Sequence, residues 1–213
     1  MIVKVCGITT PEQAKIISTF EPTHIGVVYF EKSPRHIDIK RIKDIKKSIS
    51  ESIKLTAVVV NPDEETVEEL LKVVDVIQFH GDETVEFVLK FPSERVIKAF
   101  RIKEEKDLDK IIPFAEAGII TLIDAFTENA YGGTGKRINP ELAKKAINRF
   151  KKVVLSGGLS DENIEEILDE LKPYGVDASS KLEIKPGLKD IVKVKKFVEK
   201  AKRFYQKTAE AAP

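Results

Sequence analysis

Short runs rich in Val and Ile recur eight times along the chain, at 2–8, 23–30, 54–61, 76–81, 95–102, 120–126, 153–158 and 175–180. Each is nearly continuously apolar and bounded by Gly, Pro, Asp or Ser, as parallel strands buried on both faces are. Charged segments separate them. Residues 63–74 carry Val67, Leu70, Leu71 and Val74 at helical spacing, and residues 190–205 carry Ile191, Val194, Phe197 and Val198 along one stripe. Residues 161–171 read as a helix opened by Ser160 as N-cap, with Ile164, Ile167, Leu168 and Leu171 on its apolar face.

Strands alternating with helices imply a parallel sheet, either open and doubly wound or closed into a barrel. Two details favour closure. The units number eight, at about 27 residues each, near the minimum for a compact barrel, and no Gly-rich dinucleotide fingerprint follows the first strand. The expectation is an α/β fold, a single-domain (βα)8 TIM barrel over residues 1–207, with 208–213 as a frayed C-terminal tail. Hydrophobic residues at 42% supply a core and exclude a disordered chain. Lys and Arg number 36 against 35 Asp and Glu, so no global field draws in nucleic acid or an anionic membrane. The single cysteine, Cys6, excludes an internal disulfide framework and a Cys-cluster metal site. No apolar stretch approaches the ~18 residues of a spanning helix, and no basic-then-apolar leader precedes Ile2. A cytoplasmic location is therefore expected, with no membrane or nucleic-acid partner. Charged residues at 33%, with one Met and one Cys, point to a thermophilic source. Composition leaves monomer and homodimer open.

In a barrel the chemistry belongs at the C-terminal strand ends. In Val3-Lys4-Val5-Cys6-Gly7, alternation puts Lys4 and Cys6 on one face and the valines on the other. Cys6 reads as a small core hydrophobe or as a reactive thiol; Lys4 weighs toward the second, since a nearby cation favours thiolate. Asp124 ends the apolar sixth strand, either as a turn residue or as a buried acid with a raised pKa. The following loop contains Tyr131-Gly132-Gly133-Thr134-Gly135-Lys136. It fails the P-loop pattern at Ala130 and Arg137 and the dinucleotide pattern at Ile138, leaving a Gly-rich candidate for a lid or for backbone contacts to a ligand. Gly157 and Gly158 after strand seven, and Ser179 and Ser180 after strand eight, occupy the usual phosphate position of this fold. Arg35, on a Pro-stiffened loop, suits a bidentate clamp on a carboxylate, although most loop arginines are simply solvated. His24, His36 and His80 lack metal-ligand spacing, so no metal is expected. His80 reads as a polar group of the site or as a turn histidine.

In order along the chain stand Lys4-Val5-Cys6-Gly7-Ile8-Thr9, Lys32-Ser33-Pro34-Arg35 and Gln78-Phe79-His80-Gly81-Asp82-Glu83. Asp124 with Tyr131-Gly132-Gly133-Thr134-Gly135, Leu155-Ser156-Gly157-Gly158-Leu159, Gly175-Val176-Asp177-Ala178-Ser179-Ser180 and Pro186-Gly187-Leu188-Lys189-Asp190 complete the set. Read together, these fragments make the chain resemble the phosphoribosylanthranilate isomerases of tryptophan biosynthesis over nearly its whole length. Phe79, Ala178 and Lys181 depart from the family's commoner Leu, Val and Gly and bear on loop packing. The resemblance implies a cofactor-free Amadori rearrangement of a small phosphorylated substrate, with Asp124 as general acid and Cys6 as general base. It also implies Arg35 on the anthranilate carboxylate and Gly157, Gly158, Ser179 and Ser180 on the phosphate. Lys4, His80, Gly133, Gly135 and Asp177 are further substrate-site candidates. Indole-glycerol-phosphate synthase and the related histidine-pathway isomerase are the nearest rivals. Their Lys–Glu and paired-Asp catalysis does not match Cys6 with Asp124. A catalytically idle, phosphate-binding barrel is the rival from another class.

Overall fold

The computed structural model describes residues 1–125 and 139–210. Eight parallel strands close into a barrel in chain order. They are β1 (Ile2–Val5), β2 (His24–Val28), β3 (Lys54–Val59), β4 (Val76–Phe79), β5 (Val96–Ile102), β6 (Ile120–Ala125), β7 (Val153–Leu155) and β8 (Gly175–Ala178). The helices between and after them are α1 (Pro11–Ser18), α2 (Ile39–Ser48), α3 (Glu64–Leu71), α4 (Val85–Val88), α5 (Ile112–Glu116), α6 (Pro140–Arg149), α7 (Ile164–Leu171) and α8 (Ile191–Glu210). Of the two architectures the alternation allows, this is the closed barrel that the count of eight units favours.

Several strands stop earlier than their apolar runs. Beyond β1, Cys6, Gly7 and Ile8 still donate backbone hydrogen bonds, to Ala178 and to Gly26, and Cys6 lines the mouth of the barrel. Local chemistry sets the helix starts: Thr10, Asp38, Asp63 and Thr84 each accept the backbone N–H three residues on. The N-cap of α7 is Asn163 rather than Ser160, because the Asn163 side chain turns back to accept the Ser160 N–H and spends residues 160–163 on a turn. Helix α8 runs on to Glu210, into the segment expected to fray. One further element has no counterpart in the sequence reading. An antiparallel hairpin, β9 (Glu183–Lys185) with β10 (Leu188–Lys189), turns at Gly187 with φ +81°.

Burial sorts the side chains into two layers and a mouth. Outward-facing Val3, Val5, Ile25, Val27, Leu55 and Ala57 pack against the helices. Ile2, Val76, Ile97, Ala99, Leu122 and Val154 fill the lower barrel as a separate apolar cluster. Each buried Val, Leu or Ile side chain among them contributes about 1.5–3 kcal/mol. Above that plug the inward positions turn polar, with Lys4, Thr56, Gln78, His80, Asp124 and Asp177 all buried. The apolar plug holds the barrel, and the polar layer above it is where the strand ends gather their chemistry.

Candidate active site

A cavity of about 500 Å³ opens at the C-terminal ends of the strands. Cys6, Arg35, His80, Asp124, Asp177 and Ser179, separately marked in the sequence, all line it. A cavity of similar volume opens at the other end of the barrel, around Ile112, Ile119 and Phe150, and contains none of those groups.

Lys4 is fully buried, and its Nζ donates to Asp177 Oδ2 at 2.9 Å across the β1–β8 ladder, where the two residues are in register. Burial pushes the lysine down, but the charge and hydrogen bond of Asp177, with Cys6 adding to them, hold it above its ordinary value. Cys6 shows the opposite balance. Burial raises the thiol, the Lys4 charge lowers it, the Asp177 charge raises it again, and the sum lies above the ordinary value. Lys4 thus favours the thiolate as its position implies, but it is shared with Asp177 and does not outweigh burial. Gly26 on β2 makes room for the pair, since a Cβ there would come within 2.7 Å of Cys6 Sγ and 3.0 Å of Lys4 Cε.

Across the mouth, His80 Nε2 lies 3.7 Å from Asp124 Oδ2, and both side chains are nearly closed off from solvent. Gln78 Nε2 sits 3.1 Å from His80 Nδ1. Donation from that amide leaves the ring proton on Nε2, facing the carboxylate. Burial, aided by the charges of Lys4, Lys98 and Arg101, drives His80 down to about 3, so the ring is neutral at working pH. Gln78 Oε1, His80 Nε2 and Asp177 Oδ1 are buried without a hydrogen-bond partner among the described residues. All three residues line the cavity, so these atoms are polar contacts that a ligand can satisfy.

Arg35 is not free in the loop. Its Nε and Nη2 donate to Glu183 Oε1 and Oε2 at 2.9 and 2.7 Å. Lys189 Nζ adds a second cation on Oε1 at 2.8 Å and also donates to the Ser179 carbonyl. Burial raises Glu183, but Arg35 and Lys189 hold its carboxyl below the usual range. Ser179 Oγ donates to the Cys6 carbonyl at 3.0 Å, which ties this cluster to the end of β1.

The family profile described as N-(5'-phosphoribosyl)anthranilate isomerase matches residues 3–200. The chain belongs to that family. It is 56% identical over 199 residues to the N-(5'-phosphoribosyl)anthranilate isomerase of Sulfurihydrogenibium sp. (strain YO3AOP1), covering 93% of this chain and 98% of that one. The crystal structure of phosphoribosyl anthranilate isomerase from Thermotoga maritima overlays with a TM-score of 0.86 at 32% identity, over 95% of this chain and 100% of that one. Another isomerase structure, in complex with reduced 1-(o-carboxyphenylamino)-1-deoxyribulose 5-phosphate, overlays with a TM-score of 0.83 at 31% identity, over the same shares.

Seen as a member of the N-(5'-phosphoribosyl)anthranilate isomerase family, the chain splits its expected phosphate residues between two hollows. Ser179 lines the main cavity, while Gly158 lines a smaller one of about 290 Å³ with Lys181 and Lys193. Gly157 and Gly158 have φ of +93° and +71°, a backbone only glycine adopts without strain. Ser180 opens a short 3-10 turn, and the Ser179 hydroxyl is spent on the Cys6 carbonyl. Gly133 and Gly135 lie outside the described residues. Three further polar residues stand at or beside the cavity without a role assigned from the sequence: Gln78, which lines it, and Glu183 and Lys189, which bond Arg35 and Ser179. Gln78 sits two residues before His80 on β4 and was legible by alternation. Glu183 carries no local signal, because its partner Arg35 is 148 residues away, and Lys189, although it stands in one of the resembling fragments, gains its role only from that pairing, through Glu183 six residues before it.

Proposed function

We propose that this chain is the isomerase converting N-(5-phosphoribosyl)anthranilate to 1-(2-carboxyphenylamino)-1-deoxyribulose 5-phosphate in tryptophan biosynthesis, by general acid–base catalysis without a cofactor. The observation that carries this reading is the placement of Cys6 and Asp124 on one cavity. One follows β1 and the other ends β6, three strands apart around the barrel, and both are nearly fully buried.

Asp124 protonates the furanose ring oxygen, and the ring opens to an iminium at C1. Cys6 as thiolate removes the C2 proton to give an enolamine, which moves its hydroxyl proton to C1 as the ketone forms. The isomerisation leaves no net proton on or off the substrate. Neutral His80, with its Nε2 facing Asp124, orients the acid without adding a charge that would hold it ionised. Lys4 offsets part of the cost of a buried thiolate. Arg35 takes the anthranilate carboxylate, and Gly157, Gly158, Ser179 and Ser180 surround the phosphate.

Surface ion pairs such as Lys145–Glu105, Arg149–Asp109 and Lys202–Glu21 support a thermophilic setting. A role in amino-acid biosynthesis supports a cytoplasmic one. The test is fluorescence-monitored consumption of freshly made N-(5-phosphoribosyl)anthranilate by wild type, Cys6→Ala and Asp124→Asn, each checked for folding. Each substitution is expected to lower kcat by ~10²–10⁴-fold. A folded Cys6→Ala protein with wild-type turnover would make the barrel something other than this acid–base catalyst.

A further inference from the structure

We propose that Glu183 is a positioning residue for Arg35, and that it selects which edge of the guanidinium meets the substrate. A guanidinium offers a carboxylate two bidentate edges, the side edge of Nε with Nη2 and the end edge of Nη1 with Nη2. Glu183 occupies the side edge with bonds of 2.9 and 2.7 Å. Nη1 has no acceptor among the described residues, so the end edge is the one left for a second carboxylate.

Packing fixes the rest of the arginine. Gly7, at φ +83°, runs so close beneath it that a Cβ there would lie 2.6 Å from Arg35 Cδ. The Glu183 side chain is 3% exposed, against 11% for Arg35, so the carboxylate sits on the buried side and the arginine on the cavity side. A lone Glu183 would cancel the charge it positions. Lys189 prevents that: fully buried and 2.8 Å from Oε1, it leaves the three-residue cluster with one positive charge in excess. That excess matches one substrate carboxylate. The inference rests on the reading of Arg35 as the carboxylate's partner.

The rival account makes Glu183 a competitor that must release Arg35 before substrate binds. The two accounts differ in sign. Removing the negative charge would strengthen carboxylate binding under competition and weaken it under positioning. The experiment compares kcat/KM for N-(5-phosphoribosyl)anthranilate with that for N-(5-phosphoribosyl)aniline, which lacks the carboxylate. The variants are Glu183→Gln, Lys189→Met and Arg35→Met, with folding checked by circular dichroism and thermal melts. Wild type is expected to prefer the carboxylated substrate, and Arg35→Met to abolish the preference. Glu183→Gln, with Arg35 still present, is expected to narrow the ratio about tenfold, the value of one charge-assisted hydrogen bond, through KM rather than kcat. Lys189→Met is expected to narrow it in the same direction. Should Glu183→Gln fail to fold, Glu183→Asp, which keeps the charge and shortens the reach, is read the same way. A merely structural role would lower both substrates together and leave the ratio alone, which overturns the proposal, as does a widened ratio. An Arg35→Met protein that keeps its preference would instead remove the underlying reading of Arg35, and this inference with it.

Discussion

Lys4 and Asp177 stand in register on β1 and β8 and form a 2.9 Å ion pair with both side chains buried. The pair therefore bears on two things at once, the cohesion of the seam where the barrel closes and the charge that the buried Cys6 thiol feels. Losing one partner strands the other charge in the interior, at a cost of about 3–5 kcal/mol. Lys4→Met is expected to lower stability on that scale in urea unfolding.

The same pair predicts opposite movements of the thiol. Lys4 lowers the Cys6 pKa and Asp177 raises it. The pH profile of Cys6 alkylation by iodoacetamide should move to higher pH in Lys4→Met and to lower pH in Asp177→Asn. Shifts in the same direction in both variants would mean that packing, not charge, sets the thiol.

Gly26 has no room for a side chain, because its Cβ would meet Cys6 Sγ at 2.7 Å. Gly26→Ala forces the thiol or the Lys4 stem to move, at about 1–3 kcal/mol of overpacking. The expected result is a lower melting midpoint together with a loss of turnover larger than the stability change explains, since the displaced atom is the proposed base. Steady-state kinetics well below the midpoint separate the two effects.

Burial holds His24 and His80 at about 3, well below the ordinary 6.5. The unfolded chain takes up a proton on each as pH falls through 6.5, and the folded chain does not until about 3. Stability is therefore complete above pH 6.5 and lost progressively as pH falls from there toward 3. Urea midpoints should decline from pH 7 to pH 5, above the range where most carboxylates titrate. His24→Gln should flatten that decline by up to ~1.4 kcal/mol per pH unit, one proton's worth. A midpoint flat across this window would mean that both rings accept protons in the folded state.

The surface ion pairs lead to an expected melting midpoint above the ~45–65 °C range of mesophile domains. High salt should lower it, because exposed pairs are screened. Differential scanning calorimetry at low and high salt reads both; a midpoint inside the mesophile range contradicts the thermophilic reading.

The barrel was legible in the sequence because its cause is local. Each βα unit carries its own period, as in Val3, Val5 and the stripe from Val67 to Val74, and eight such units have few ways to close. The strand-end groups Cys6, His80 and Asp124 were legible for the same reason, since alternation says which face a residue takes. What each group is bonded to was decided only by closure of the barrel. Arg35 meets Glu183 across 148 residues of chain, and Lys4 meets Asp177 across 173. No periodicity reaches that far, and a carboxylate on a short hairpin reads like any solvated charge until the fold desolvates it. Sequence thus determined which side chains reach the mouth. Tertiary structure, by removing water and bringing distant strands into register, decided which charges they share there.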